Sequence, residues 1–165
     1  MMKFVAAVVF SILITFEMSF AQNKEDFLVR QPIDRLFAGM SASDSAMVHS
    51  AFAKQVTMAT IGKDKSGQPF IRNESGIADF LKAVGTPHPE TWNEPIWDVK
   101  ISIDGNFAQA WASYAFYIGK KFSHCGVDAF HLYKQPDGQW KIFHLADTRQ
   151  KEGCNIPKEV SDRFK

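Results

Sequence analysis

The chain has 165 residues, 45% of them hydrophobic and 22% charged, with a formal net charge of +1 at pH 7. Such a near-neutral chain has no basic stripe to hold nucleic acid and no polybasic patch for a membrane surface. Fifteen Phe, four Trp and three Tyr are enough to line a core or a cavity.

The first segment reads MMKFVAAVVFSILITFEMSFA. Lys3 gives a short positive start, and Phe4 to Phe16 is an apolar run too short to span a bilayer. Ser19-Phe20-Ala21 places small residues where a signal peptidase reads. Residues 1–21 are therefore expected to be a secretory signal peptide cut after Ala21, and Glu17 argues against an uncleaved anchor. Residues 22–165 are then a single domain, periplasmic or secreted. In that setting a disulfide is the default for Cys125 and Cys154. It would close a loop of about 28 residues and contribute on the order of 3–4 kcal/mol. Free thiols, or a metal site using His124 and Cys125, are the alternatives.

Phe27, Ile33, Leu36, Phe37 and Met40 recur at helical spacing over Asp26 to Met40, with Pro32 marking a first turn. Ser43 or Asp44 caps a second helix, Ser45 to Phe52. Gln55 to Ile61 alternates and is β-branched, so it reads as a strand. KDKSGQP is a turn. Asn73 or Ser75 caps a short helix through Val84, stopped by Gly85. PHPETWNEP is an irregular loop. Four strands follow: Ile96 to Ile103, Phe107 to Gly119, Phe122 to Lys134 and Gln139 to Arg149, joined by turns of good hairpin chemistry. Helices first and a meander second imply an α+β domain with helices on one face of an antiparallel sheet.

The turns set a register. The last hairpin puts Asp147 opposite Asp128, Leu145 opposite Phe130 and Phe143 opposite Leu132. The middle one puts Ser113 beside Asp128 and Trp111 beside Phe130, and the first puts Trp97 beside Ser113 and Val99 beside Trp111. One apolar face then carries Trp97, Val99, Ile101, Ile103, Phe107, Trp111, Phe130, Leu132, Phe143 and Leu145, with Ser113, Asp128, Asp147 and Arg149 at one end. The other carries Ala108, Ala110, Ala112, Tyr114, Phe116, His131, Tyr133, Trp140, Ile142 and His144, a mixture suited to a second subunit. A single bulge swaps part of this assignment.

Two facing carboxylates repel, so one has a raised pKa unless Arg149 neutralises the pair. Such an acid serves as general acid or base, although an Asp–Arg cluster also simply closes the mouth of a core. His131 and His144 lack a third partner for zinc, so no metal and no cofactor are expected. His124 is either a polar strand end or a group at the cavity mouth. Trp97 and Trp111 stack on a flat ligand or only pack a core. No phosphate loop and no nucleophile elbow is present.

The order of elements, with AWASYAFYIGKKFSHCGVDAFHLYK, DGQWKIFHLADTR and the opening LFAGMSASDSAMVHSAF, resembles the nuclear transport factor 2-like superfamily, to which ketosteroid isomerases and SnoaL-type polyketide cyclases belong. The likeness covers about residues 26–154 and is nearest to exported bacterial, lumazine-binding-like members. It implies a cone-shaped curved antiparallel sheet with N-terminal helices on its concave face, and an Asp or His deep in the cone for proton transfer. Asp128 and Asp147 match by face. The tyrosine-plus-acid oxyanion hole of the isomerases has no counterpart in this register, which sets Tyr114 on the other face.

The expected function is an exported binding protein whose apolar cavity takes a small apolar or aromatic molecule, lined by Trp97, Trp111, Ser113, Phe130, Arg149 and His124. The alternatives are an enzyme using Asp128 and Asp147 for proton transfer or hydrolysis, or a protein-interaction domain. A homodimer through the face with His131, His144 and Tyr114 is expected, with no nucleic-acid partner and no membrane association after signal cleavage.

Overall fold

The structure is a computed structural model, and it describes residues 24–74 and 76–165. The expected signal peptide, residues 1–21, lies outside the described residues. Helix α1 occupies 24–42, α2 is Ser45–Ala51, and strands β1 (Phe52–Lys63) and β2 (Pro69–Glu74) follow. Next come α3 (Ala78–Gly85), β3 (Trp92–Asn93), β4 (Ile96–Asp104), β5 (Phe107–Ile118), β6 (Lys121–Lys134) and β7 (Trp140–Thr148). A short helix α4 (Lys158–Ser161) and a 3-10 turn (Asp162–Phe164) end the chain.

The seven strands form one curved, open sheet in the order β2-β1-β7-β6-β5-β3, with β4 also paired to β5. It is mixed rather than antiparallel throughout, because β1 runs parallel to β7. That pairing follows from the helices: β1 leaves α2 and is laid along β7, whose other edge is already taken by β6.

Helix α1 buries Val29, Ile33, Leu36 and Met40, a stripe at i, i+4, i+7 and i+11. Phe27, expected on that stripe, is 64% exposed, and Val29 takes its place. The helix runs through Pro32. The proline removes one amide bond, but the apolar stripe continues unbroken on both sides of it. Lys134 Nζ and Trp140 Nε1 both bond Glu25, at 2.9 and 3.2 Å, and pin this end of α1 to the sheet. Asp44 caps α2 by accepting from the Met47 amide at 2.9 Å. Asn73 caps nothing, since it lies in β2, and α3 starts at Ala78 with no side-chain cap.

The sheet departs from the expected faces at three bulges. In β5–β6 the shift lies between Phe116 and Tyr117, so Ala112 faces Asp128, Ala110 faces Phe130 and Ser113 faces Val127. In β4–β5 it lies between Trp97 and Lys100: Trp97 still meets Ser113, but Lys100 rather than Val99 meets Trp111. In β6–β7 it lies between His131 and Leu132, so Leu132 meets Ile142 and not Phe143. The one-residue offset turns β5 over. Ala108 and Ala110 are buried beneath the helices, together with Phe130, Leu132, Trp140 and Ile142, and Ala112 and Tyr114 are buried further along the same strand. Small side chains at the alanine positions let the helices approach β5 closely. Phe107 and Trp111 instead point outward, Trp111 being 54% exposed. Phe107 and Phe143 join His131 and Tyr133 in an outer aromatic patch.

A second cluster sits at the other end of the outer face. Ala115, Tyr117 and Cys125 are covered by Trp97, Phe122, Cys154, Ile156 and Phe164. Phe164 stacks on Tyr117 with ring centres 3.9 Å apart. The Cys125–Cys154 disulfide, with a sequence separation of 29, fastens this C-terminal segment to β6. Its presence accords with an oxidising compartment. Cys154→Ser is expected to cost about 2–4 kcal/mol of stability, read by urea unfolding of the oxidised proteins. A loss under about 1 kcal/mol would show that the tail is held by packing alone.

Candidate functional site

The open end of the cone carries a cluster built from five elements. Asp128 on β6 and Asp147 on β7 are paired across the sheet, as the sequence implied. Thr60 comes from β1, paired with Asp147 on its other side. Tyr114 comes from β5. The fifth contribution, Glu94, was missed in the sequence because PHPETWNEP shows no periodicity. Glu94 and Pro95 form the step between β3 and β4. It is held by the pairs Asn93–Tyr117 and Ile96–Tyr114 and by Ala115 N donating to Pro95 O at 3.2 Å.

The bonding of the two aspartates differs. Asp147 accepts from Thr60 Oγ1 at 2.6 Å and from Arg149 Nε at 2.5 Å, and Tyr114 OH lies 3.4 Å from its Oδ2. Asp128 is only 3% exposed, and among the described residues its Oδ2 is the buried side-chain polar atom with no hydrogen-bond partner. Burial pushes the Asp128 carboxyl well above the usual carboxylate range, and the charges of Glu94 and Asp147 add to it. Burial also raises Glu94, to about 7, while a hydrogen bond with Asp128 holds it down. Burial thus favours a shared proton on the Asp128–Glu94 pair. An oxygen with no donor nearby is satisfied when the carboxyl itself is the donor.

Tyr114 is buried, and its hydroxyl donates to the Thr148 carbonyl at 2.8 Å. Burial raises its pKa well above the ordinary phenol value, with the three acids adding to the shift, so it is neutral. Gly126 makes this bond possible. A Cβ at Gly126 would overlap the Thr148 carbonyl oxygen, so only glycine lets the end of β7 cross β6 toward Tyr114. The Thr148 hydroxyl in turn accepts from Val127 N at 3.0 Å. His124 completes the wall, its ring edge-on to Tyr114 at 5.7 Å and tilted against Phe116 at 5.2 Å. Burial, then the charge of Arg149, lowers its pKa and keeps it neutral.

The structure thus joins Asp128, Asp147, Arg149 and His124 in one place and adds Tyr114, Glu94 and Thr60. It does not bring the other expected ligand contacts there. Phe130 is wholly buried in the main core against Phe37. Trp97 packs in the outer cluster, Ser113 pairs with Val127 on the outer face, and Trp111 is exposed. Side chains of α1, α2 and α3 pack on the concave face. Tyr114 therefore does not belong to the outer face with His131 and His144. Those two rings lie 5.3 Å apart, and Thr57 Oγ1 bonds His144 Nδ1 at 2.7 Å. Among the described residues no three His, Cys, Asp or Glu side chains converge as a metal site. A groove of about 1120 Å³ opens beside the cluster, bordered by Thr60, His124, Thr148 and Arg149.

No protein-family model matches the chain, and no curated protein matches it. Solved structures do. A nuclear transport factor 2-like protein of unknown function from Shewanella baltica superposes with a TM-score of 0.57 at 19% identity, covering 78% of this chain and 96% of its own. The chain has the nuclear transport factor 2-like fold. The same cone is found in a provisional ketosteroid isomerase from Shewanella frigidimarina, with a TM-score of 0.54 at 17% identity over 73% and 94% of the two chains. A provisional scytalone dehydratase from Novosphingobium aromaticivorans gives a TM-score of 0.63 at 10% identity over 81% and 89%.

Two outcomes check this geometry. A carboxyl whose folded pKa is raised binds more protons when folded, so its contribution to stability is full below the ordinary value of 4.5 and is lost as pH rises through about 7. The unfolding free energy of the wild type minus that of Glu94→Gln is expected to fall by roughly 2–3 kcal/mol between about pH 5 and pH 8. A difference independent of pH would mean that Glu94 titrates as an ordinary surface acid. Gly126→Ala is expected to lower stability by more than about 2 kcal/mol, whereas Gly138→Ala, at a turn with no neighbour in reach of a Cβ but with φ of 83°, should cost less.

Proposed function

We propose that the protein is a proton-transfer enzyme acting on a small molecule at the open end of the cone. The observation that carries this reading is a buried acid cluster: Asp128, 3% exposed with an unpartnered Oδ2, beside Glu94, both raised by burial, next to the buried hydroxyl of Tyr114. A general base or acid works best with a pKa near the working pH. Glu94 takes that role, Asp128 holds and returns the proton, and Tyr114 stands as a neutral hydroxyl beside them. Asp147, already bonded to Thr60 and Arg149, positions the cluster rather than carrying the exchanged proton. This replaces the Asp128–Asp147 pairing of roles with Asp128–Glu94. The neighbours provisionally named isomerase and dehydratase use the same fold, which is support from analogy alone. Export through residues 1–21 and kinship with lumazine-binding-like exported proteins fit the disulfide and the HCG and DTR stretches, and stand as part of the same proposal.

The test is solvent exchange. The purified protein is incubated in deuterated water with a panel of small ketones, enones and β-hydroxy carbonyl compounds, and deuterium uptake is followed by NMR. Catalysed uptake is expected for at least one compound, falling on the order of 100-fold or more in Glu94→Gln and Asp128→Asn. Uptake that survives both substitutions would remove the proton-transfer reading.

Self-assembly is a second reading, carried by the exposed aromatic half of the outer face, where Phe107, Trp111 and Tyr133 stand open. A homodimer through this patch is expected to sediment at twice the monomer mass, and Trp111→Asp should return it to monomer. A wild type that stays monomeric at high concentration would set this reading aside.

A further inference from the structure

The groove beside the acid cluster has a charge that the chain as a whole lacks. One wall is the β1–β2 hairpin and the other is the start of β6 with the segment after β7. Lys63, Lys65, Arg72, Arg149 and Lys151 line it, against two acids, Asp64 and Glu152; Arg72 is paired with Glu74 at 3.5 Å and Arg149 with Asp147, so Lys63, Lys65 and Lys151 carry most of its positive charge. Asp64 is engaged in its own turn: its Oδ1 accepts from Ser66 Oγ at 2.6 Å and from the amides of Ser66 and Gln68 at 2.8 and 2.9 Å. The Ser66 hydroxyl and those amides hold its carboxyl below the ordinary value. Its Oδ1 is thus engaged within the hairpin turn.

The groove also has an apolar surface. Phe70 is 42% exposed, and its ring lies across Gly62, where any Cβ would push it aside. Cations around a partly exposed aromatic surface suit a ligand with a charged end and a flat body. Guanidinium and ammonium groups bind carboxylates through charge-assisted bonds, and several like charges in one cleft focus the field on an incoming anion.

We infer that this groove takes a small organic anion, an aromatic or unsaturated carboxylate, with the carboxylate against the lysine and arginine wall and the flat body on Phe70. The inference rests on the proton-transfer reading in one respect: the end of the ligand nearest His124, Thr148 and Arg149 is the end that meets the acid cluster.

The probe is 1-naphthoate, compared with the uncharged 1-naphthamide, in calorimetric titrations of the purified oxidised protein at low ionic strength. Naphthoate is expected to bind at least ten-fold more tightly than the amide and to weaken as salt is added. The double charge reversal Lys63→Glu/Lys65→Glu should weaken naphthoate at least ten-fold, with an unchanged melting curve showing that it is folded. Equal binding of the two probes, binding of neither, or no effect of the charge reversal would overturn the inference. Glu94→Gln and Asp128→Asn separate the two proposals. If they abolish deuterium uptake while charge reversal leaves naphthoate binding intact, the proton-transfer reading stands and this one falls. If naphthoate binds as expected and no compound exchanges, the reverse holds.

Discussion

The hydrogen bond from Tyr114 to the Thr148 carbonyl ties the working end of the molecule together. It joins β5 to β7 over the top of β6, and it exists only because Gly126 leaves β6 thin at that point. Its net contribution to stability is modest, about 0.5–1.5 kcal/mol. Its importance is geometric. With Tyr114 fixed on the concave side, Ile96 is fixed opposite it, and the Glu94–Pro95 step must turn inward. With Thr148 drawn over, Arg149 reaches Asp147 and borders the groove.

Burial decides the chemistry of the cluster. Three carboxylates near one another cannot all be charged without cost. Asp147 has a guanidinium and a threonine hydroxyl as partners. Asp128 has a carboxyl as its partner, so the pair shares a proton. A buried carboxylic acid of this kind lowers stability as pH rises, and a well-packed apolar residue would not. Arrangements that sacrifice stability in this way concentrate at functional sites.

Much of the fold was legible because its determinants are local. The turns at Asp104-Gly105-Asn106 and Pro136-Asp137-Gly138, the helical stripe of α1 and the cysteine pair are short-range signals. Beside the last turn the β6–β7 register is one residue off the expected one, and the bulge between His131 and Leu132 restores it, so the Asp128–Asp147 pair was found. The face of β5 was misread because a bulge at Phe116/Tyr117 leaves no mark in composition. A one-residue shift exchanges every side chain between faces, and it carried Tyr114 from the supposed dimer surface into the site. The run Ala108, Ala110, Ala112 held a clue: alanines at every second position suit a strand lying directly beneath helices. Glu94 gave no signal, because its position depends on how a proline-bounded step is held between two strands. The short strand PFIRNE lacked alternation and went unseen, as its exposed residues show.

The cystine has a consequence for how the chain finds its shape. It closes a covalent ring from Cys125 to Cys154, and that ring holds Asp128, Asp147, Thr148 and Arg149, while Thr60, Glu94 and Tyr114 lie outside it. Even an unfolded, oxidised chain keeps the two aspartates within one short loop, where the entropy of bringing them together is small. The chain thus meets their mutual repulsion while still largely disordered, and the arginine that relieves it travels on the same ring. The tyrosine and the glutamate come from outside the ring, on the long arc of chain whose closure carries the larger entropy cost.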